Sequence, residues 1–163
     1  MENELPAEFE AKNAFHFFSD YKDPLKALSQ LVKKGYLIRL WRGLYAFSKK
    51  FDRLSAAGKI YSPSYISFEA ALSFHGLIPE RVDIIMSVAD KRSATFTKPV
   101  GIYQYYSQST PLFAEGMSMV EISENRMILI ANKEKSLFDT LDKYNLKAAK
   151  LDCREVFQFV LTS

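Results

Sequence analysis

The stretch Asp23-Pro24-Leu25-Lys26-Ala27-Leu28-Ser29-Gln30-Leu31-Val32-Lys33-Lys34-Gly35-Tyr36-Leu37-Ile38-Arg39-Leu40-Trp41-Arg42-Gly43-Leu44-Tyr45-Ala46-Phe47 decides how the first part of the chain folds. Asp23 before Pro24 is a helix start, because the carboxylate can accept from a first-turn N–H and the proline lacks only a donor that would have no partner there. Gly35 is a natural stop, since glycine enters the left-handed region after a helix at no steric cost. Between them Leu25, Leu28, Leu31 and Val32 recur at helical spacing, which leaves Lys26, Ser29, Gln30 and Lys33 on the other face and Lys34 near the end. After Gly35 the period shortens. Residues 36–41 and 44–47 are β-prone runs separated by Arg42-Gly43, the pattern of a hairpin.

Upstream, residues 5–12 and 14–21 read as two short helices, the second dense in aromatics (Phe15, Phe17, Phe18, Tyr21) and therefore core, with His16 among them. The order helix, helix, basic helix, hairpin is that of a winged helix-turn-helix, whose third helix enters the major groove of DNA. Charge patterning agrees. The net charge is only +3, but residues 1–21 carry −4, residues 22–53 carry +7 and residues 54–163 balance. A basic block between an acidic leader and a neutral body is the footprint of a polyanion-binding surface. The expected DNA-binding residues are Lys22, Lys26, Ser29, Gln30, Lys33, Lys34, Arg39 and Arg42, the cations for phosphates and the two uncharged side chains for base edges.

Residues 48–63 fit either a linker or a short amphipathic helix, and a domain boundary is placed there, giving a winged helix over 1–53 and a second domain over 54–163. In the second part Ser67 can cap an apolar helix that ends at Gly76. Short β-prone runs follow at 82–88, 94–97, 100–106, 117–122 and 126–131. Asn132 can cap a helix over 133–143 with Leu137, Phe138 and Leu141 inward, and a last helix is expected over 152–161. The second domain is thus mixed α+β, and the fold class as a whole is α+β.

Composition narrows the chemistry. At 163 residues with 48% hydrophobic and 25% charged residues, the chain has the averages of a globular protein that needs no metal or disulfide staple. One cysteine, Cys153, can form neither an internal bridge nor a thiolate zinc site, and it reads as a buried structural thiol. With no apolar run near 18 residues and no signal peptide, a cytoplasmic protein without membrane contact is expected. Two histidines starve His-based metal sites and triads, and His75 at a helix end reads as structural. No Gly-rich phosphate loop is present. A nuclease scheme would enlist Glu69, Asp83 and Asp90 with Lys91, but Asp83 and Asp90 flank one strand and no acid-x-Lys pair follows on a second. Tyr103, Tyr105 and Tyr106 could stack nucleobases, although alternation along a half-buried strand accounts for them. No catalytic residue, metal or cofactor is expected.

Three strings carry a resemblance. The run Leu31-Val32-Lys33-Lys34-Gly35-Tyr36-Leu37-Ile38-Arg39-Leu40-Trp41-Arg42-Gly43-Leu44-Tyr45 resembles the L-x-K-K-G-x-L-x-R-x-x-R-G-x-Y end of the N-terminal winged helix of AbiEi-family antitoxins, transcriptional regulators of viral defence systems. Residues 64–80 are similar to that family's Y-I-S-x-x-S-A-L-x-x-x-G-L-I-P-E segment, and Glu134-Lys135-Ser136-Leu137-Phe138-Asp139 to its P-E-K-A-L-x-D helix, with Lys133 where the family has proline. The resemblance implies an antitoxin of a toxin–antitoxin pair that represses its own operon through inverted repeats in duplex DNA and counteracts a nucleotidyltransferase-like toxin, with or without a stable complex. The alternative is a protein-interaction module whose winged helix no longer grips DNA.

Overall fold

A computed structural model describes residues 1, 4–79, 82–98, 100–108, 113, 115–123 and 126–144. The described residues form a mixed α+β structure with two sheets, one three-stranded and one six-stranded. The expected terminal helix and Cys153 lie outside them.

The basic helix, α2 (Pro24–Lys33), forms where the sequence places it. The Asp23 carboxylate accepts from the Lys26 N–H at 3.1 Å. At the other end Gly35 takes φ 78°, so that the Gly35 N–H reaches the Val32 carbonyl and the Tyr36 N–H reaches that of Leu31, both at 3.0 Å. This reciprocal pair closes the helix and turns the chain into the hairpin of β2 (Leu37–Trp41) and β3 (Leu44–Phe47), joined through Arg42-Gly43.

The upstream region departs from expectation. Residues 5–12 do not form a helix. They supply β1 (Glu8–Glu10), which pairs antiparallel with β3 through Phe9↔Tyr45, and then enter a one-turn helix, α1 (Ala11–Ala14). Pairing wins because Phe9 in a strand can stack on Tyr45 and Phe47 (centroids 6.3 and 5.1 Å away) in the cluster that also buries Ala14, Leu28 and Leu37. The expected second helix shrinks to a 3-10 turn, Phe15–Phe18, in which no residue is buried. His16, expected in the core, is exposed and lies on the Phe17 ring.

The six-stranded sheet has the order β6-β7-β5-β4-β9-β8, comprising β4 (Ser64–Ile66), β5 (Ile84–Ala89), β6 (Ala94–Lys98), β7 (Gly101–Ser107), β8 (Met117–Ser123) and β9 (Arg126–Ala131). Strand β4 runs antiparallel to β5 and parallel to β9, and β5 runs parallel to β7. Register assigns the faces. Ile66 pairs Ser87 and Ser87 pairs Tyr105, so these share a face, and Tyr105 donates its hydroxyl to the Ala57 carbonyl of α3 (Arg53–Ile60) at 2.7 Å. Tyr65, one residue from Ile66, points the other way, toward α4 (Phe68–Phe74) and α5 (Lys133–Lys143). Of the two readings left open for residues 48–63, a helix therefore forms, started by Asp52.

The two sheets pack through shared side chains. All of β3 is buried: Tyr45 and Phe47 belong to the cluster under α2, whereas Leu44 and Ala46 join Leu40 in the cluster of Ala56, Ile66, Tyr105 and Ile130. Trp41 meets Phe96 edge-on at 4.7 Å with the Lys98 ammonium 4.1 Å over its ring. Glu8, buried at 3% exposure, accepts from Ser55 Oγ at 2.8 Å and from Lys59 Nζ at 3.0 Å.

Candidate functional site

The structure places the expected DNA-binding residues on α2, the turns that flank it and the hairpin. Lys22, Lys26, Ser29, Gln30, Lys33, Lys34, Arg39 and Arg42 are all exposed. Ala27 and Leu28 fix the helix's inner face, which puts Lys26, Ser29, Gln30 and Lys33 outward. Among the described residues, none of the six cations has an ion-pair partner, whereas Lys59, Lys135 and Lys143 each do. A lysine without a counter-charge is free to neutralise a phosphate and so release counter-ions condensed on a nucleic acid. Two details alter the expected roles. Ser29 donates its hydroxyl to the Leu25 carbonyl at 2.8 Å, so it keeps acceptor capacity but no free donor, and Gln30 is left as the uncharged side chain with both. Leu25, assigned to the apolar face by spacing, is 51% exposed, because the buried side of α2 is centred on Ala27 and Leu28.

A second constellation went unread in the sequence. Asp139 on α5, 2% exposed, accepts from Ser67 Oγ at 2.6 Å and Tyr65 Oη at 3.1 Å, and pairs with Lys135 Nζ at 3.0 Å. Gln108 joins by accepting from Tyr65 Oη at 3.0 Å and Lys135 Nζ at 3.3 Å. Burial, then the neighbouring Asp139 carboxylate, push the Tyr65 hydroxyl well above the ordinary phenol range. Two expectations are corrected here. Ser67 precedes α4 but makes no capping bond, since its hydroxyl is spent on Asp139. The inward face of α5 is Lys135, Ser136 and Asp139, and Phe138 is 41% exposed. Apolar periodicity is blind to such a helix, because its buried side chains are polar groups that satisfy one another. A signal was nonetheless present: the four central residues fall within the two strings 64–80 and 134–139 that carry the resemblance downstream of the hairpin.

Beside this network α4, β7 and α5 enclose a cavity of about 120 Å³ lined by Phe68, Tyr106, Gln108, Asp139, Asp142 and Lys143. Glu69, one of the carboxylates a nuclease would need, instead takes Lys143 Nζ at 3.3 Å and Tyr144 Oη at 2.5 Å. Burial alone would raise the Glu69 carboxyl, but the Tyr144 and Lys143 contacts outweigh it and hold the group below its ordinary value. Asp83 and Asp90 stand at opposite ends of β5. No group of three His, Cys, Asp or Glu able to hold a metal occurs among the described residues. His75 donates Nε2–H to the Ala131 carbonyl, 2.7 Å away. The tyrosine platform is closed, since Tyr103 and Tyr105 are buried in the core and Tyr106 turns to Phe68.

Among the described residues no helix is long and apolar enough to cross a membrane. Compared with known proteins, the chain matches no family model and no curated protein.

Proposed function

We propose that the chain is a DNA-binding transcriptional regulator of the AbiEi antitoxin kind, which represses its own operon through α2 and the β2–β3 hairpin while the remainder counteracts a nucleotidyltransferase-like toxin. The observation that carries this reading is the row of six exposed cations without ion-pair partners on the capped helix α2, the turn before it and the hairpin that follows. The order short helix, 3-10 turn, basic helix, hairpin, with β1 completing an antiparallel sheet, supports a winged helix-turn-helix in which α2 is the reading helix. The antitoxin part rests on the resemblance of residues 31–45, 64–80 and 134–139.

The test is fluorescence anisotropy on the operon's own promoter fragment over a salt series. With four or five phosphates met, log K falls against log salt with a slope of about −4. A slope near zero, or no binding, rejects DNA recognition. Co-expression with an adjacent nucleotidyltransferase-like gene, scored by growth, tests the antitoxin part. A second reading, an interaction module that does not grip DNA, is favoured by Leu25 and Tyr36, 51% and 65% exposed beside the lysines. It predicts that Leu25→Ser and Tyr36→Ser abolish function and that Lys26→Ala does not.

A further inference from the structure

The cavity between α4, β7 and α5 has one charge that its own walls leave unanswered. Asp139 is neutralised by Lys135 at 3.0 Å and Lys143 by Glu69 at 3.3 Å. The Asp142 carboxylate lines the same cavity, is exposed, and has no ion-pair or hydrogen-bond partner among the described residues. The cavity is therefore built with a net charge of −1 at its rim.

Its apolar walls are aromatic. Phe68 and Tyr106 meet edge to face with centroids 4.8 Å apart. Phe68 takes φ 54°, a left-handed conformation that bulky side chains rarely adopt, directly after the serine whose hydroxyl is fixed to Asp139. The ring is thereby turned into the wall of the cavity instead of following the ordinary start of a helix. The Lys143 ammonium, held by Glu69, lies 5.4 Å from the Phe68 centroid and 5.1 Å from that of Tyr106.

We propose that this cavity takes a guanidinium group, carried either by an arginine side chain of a partner protein or by a free small guanidine compound. Guanidinium is flat and weakly hydrated, stacks on aromatic faces, and meets a carboxylate through two parallel N–H donors. Asp142 supplies that carboxylate, and Phe68 and Tyr106 supply apolar walls beside Lys143. A volume of 120 Å³ is a little less than the roughly 150 Å³ that holds a benzene ring, which suits one planar group and excludes a whole nucleotide. A compact ammonium meets the Asp142 carboxylate through one point contact where a guanidinium offers two parallel donors, and an anion would face Asp139 and Asp142. The assignment is independent of the DNA-binding surface.

The full chain is titrated by calorimetry and by amide chemical shifts with agmatine and with a short Gly/Ser peptide carrying one arginine, beside the same peptide with lysine or citrulline. Saturable binding of an arginine form is expected, with the lysine and citrulline peptides at least about tenfold weaker, the equivalent of one charge-assisted bond. Asp142→Asn weakens the arginine form by about the same factor. The unfolding midpoint is unchanged, because the side chain is exposed, and Lys26→Ala leaves the affinity unchanged. A peptide that binds more tightly than agmatine identifies a protein partner, and the reverse order a small metabolite; either supports the site. No saturation by either arginine form, equal binding of lysine, or unaltered binding by a folded Asp142→Asn variant overturns it.

Discussion

Ser67 Oγ donates to Asp139 Oδ2 across 2.6 Å, joining two residues 72 positions apart in the chain, and both are buried. Through this bond the residue that should cap α4 instead anchors α5 over the sheet. It also makes Asp139 the centre on which Tyr65, Ser67 and Lys135 converge.

Asp139→Asn is expected to destabilise the fold by about 3 to 5 kcal/mol, because Lys135, 8% exposed, would keep its charge without a counter-ion. The double variant Lys135→Met, Asp139→Leu recovers a large part of that loss. Urea unfolding midpoints measure both, and equal loss in the single and double variants would remove the ion pair from the explanation.

On α2, Gln30→Ala should relax sequence preference by about 1 to 3 kcal/mol, as expected for a lost bidentate base contact, while Lys33→Ala weakens all duplexes alike. Ser29→Ala should matter less than Gln30→Ala, since the Ser29 donor is already used on Leu25. Anisotropy on the promoter fragment and on a scrambled duplex separates the two effects; identical profiles for Gln30→Ala and Lys33→Ala would deny Gln30 a reading role.

The pair Glu69–Lys143 gives a pH dependence with a fixed sign. Burial pushes the Glu69 carboxyl up, but Tyr144 and Lys143 bring it below its ordinary value, so the unfolded chain binds the proton more readily. Its contribution is complete above the unfolded value of roughly 4.3 and is lost as pH falls through the depressed folded value. Glu69→Gln should therefore be less stable than the parent near neutrality, with the gap closing below about pH 4. A gap that widens in acid contradicts the assignment.

Gly116 stands at φ 73° with its carbonyl accepting from the Asn132 N–H at 2.8 Å. A Cβ there would lie 2.8 Å from Lys135 Cβ. Gly116→Ala is expected to cost more than about 1 kcal/mol and to disturb the Tyr65–Asp139 network, visible in the amide shifts of β4. A neutral substitution would show that α5 can shift without cost.

What the chain settles by itself is whatever a few neighbouring residues can satisfy among themselves. Asp23-Pro24 and Gly35 bound α2, Arg42-Gly43 turns the hairpin, Asn132 accepts from the Lys135 N–H at 2.8 Å to begin α5, and the six cations from Lys22 to Arg42 stay on the surface because lysine and arginine heads cost too much to dehydrate unpaired. Only the tertiary structure decided the rest. Residues 8–10 are a strand because β3 had an open edge and Phe9 a cluster to enter, and Leu25 stays in solvent because it lies on the outward side of α2, away from the buried Ala27 and Leu28. Asp139 and Lys135 go inside because Tyr65, Ser67 and Gln108 arrive from elements that sequence spacing does not connect to them. A polar face is buried only when its partners are in place, and those partners lie 27 to 74 residues away.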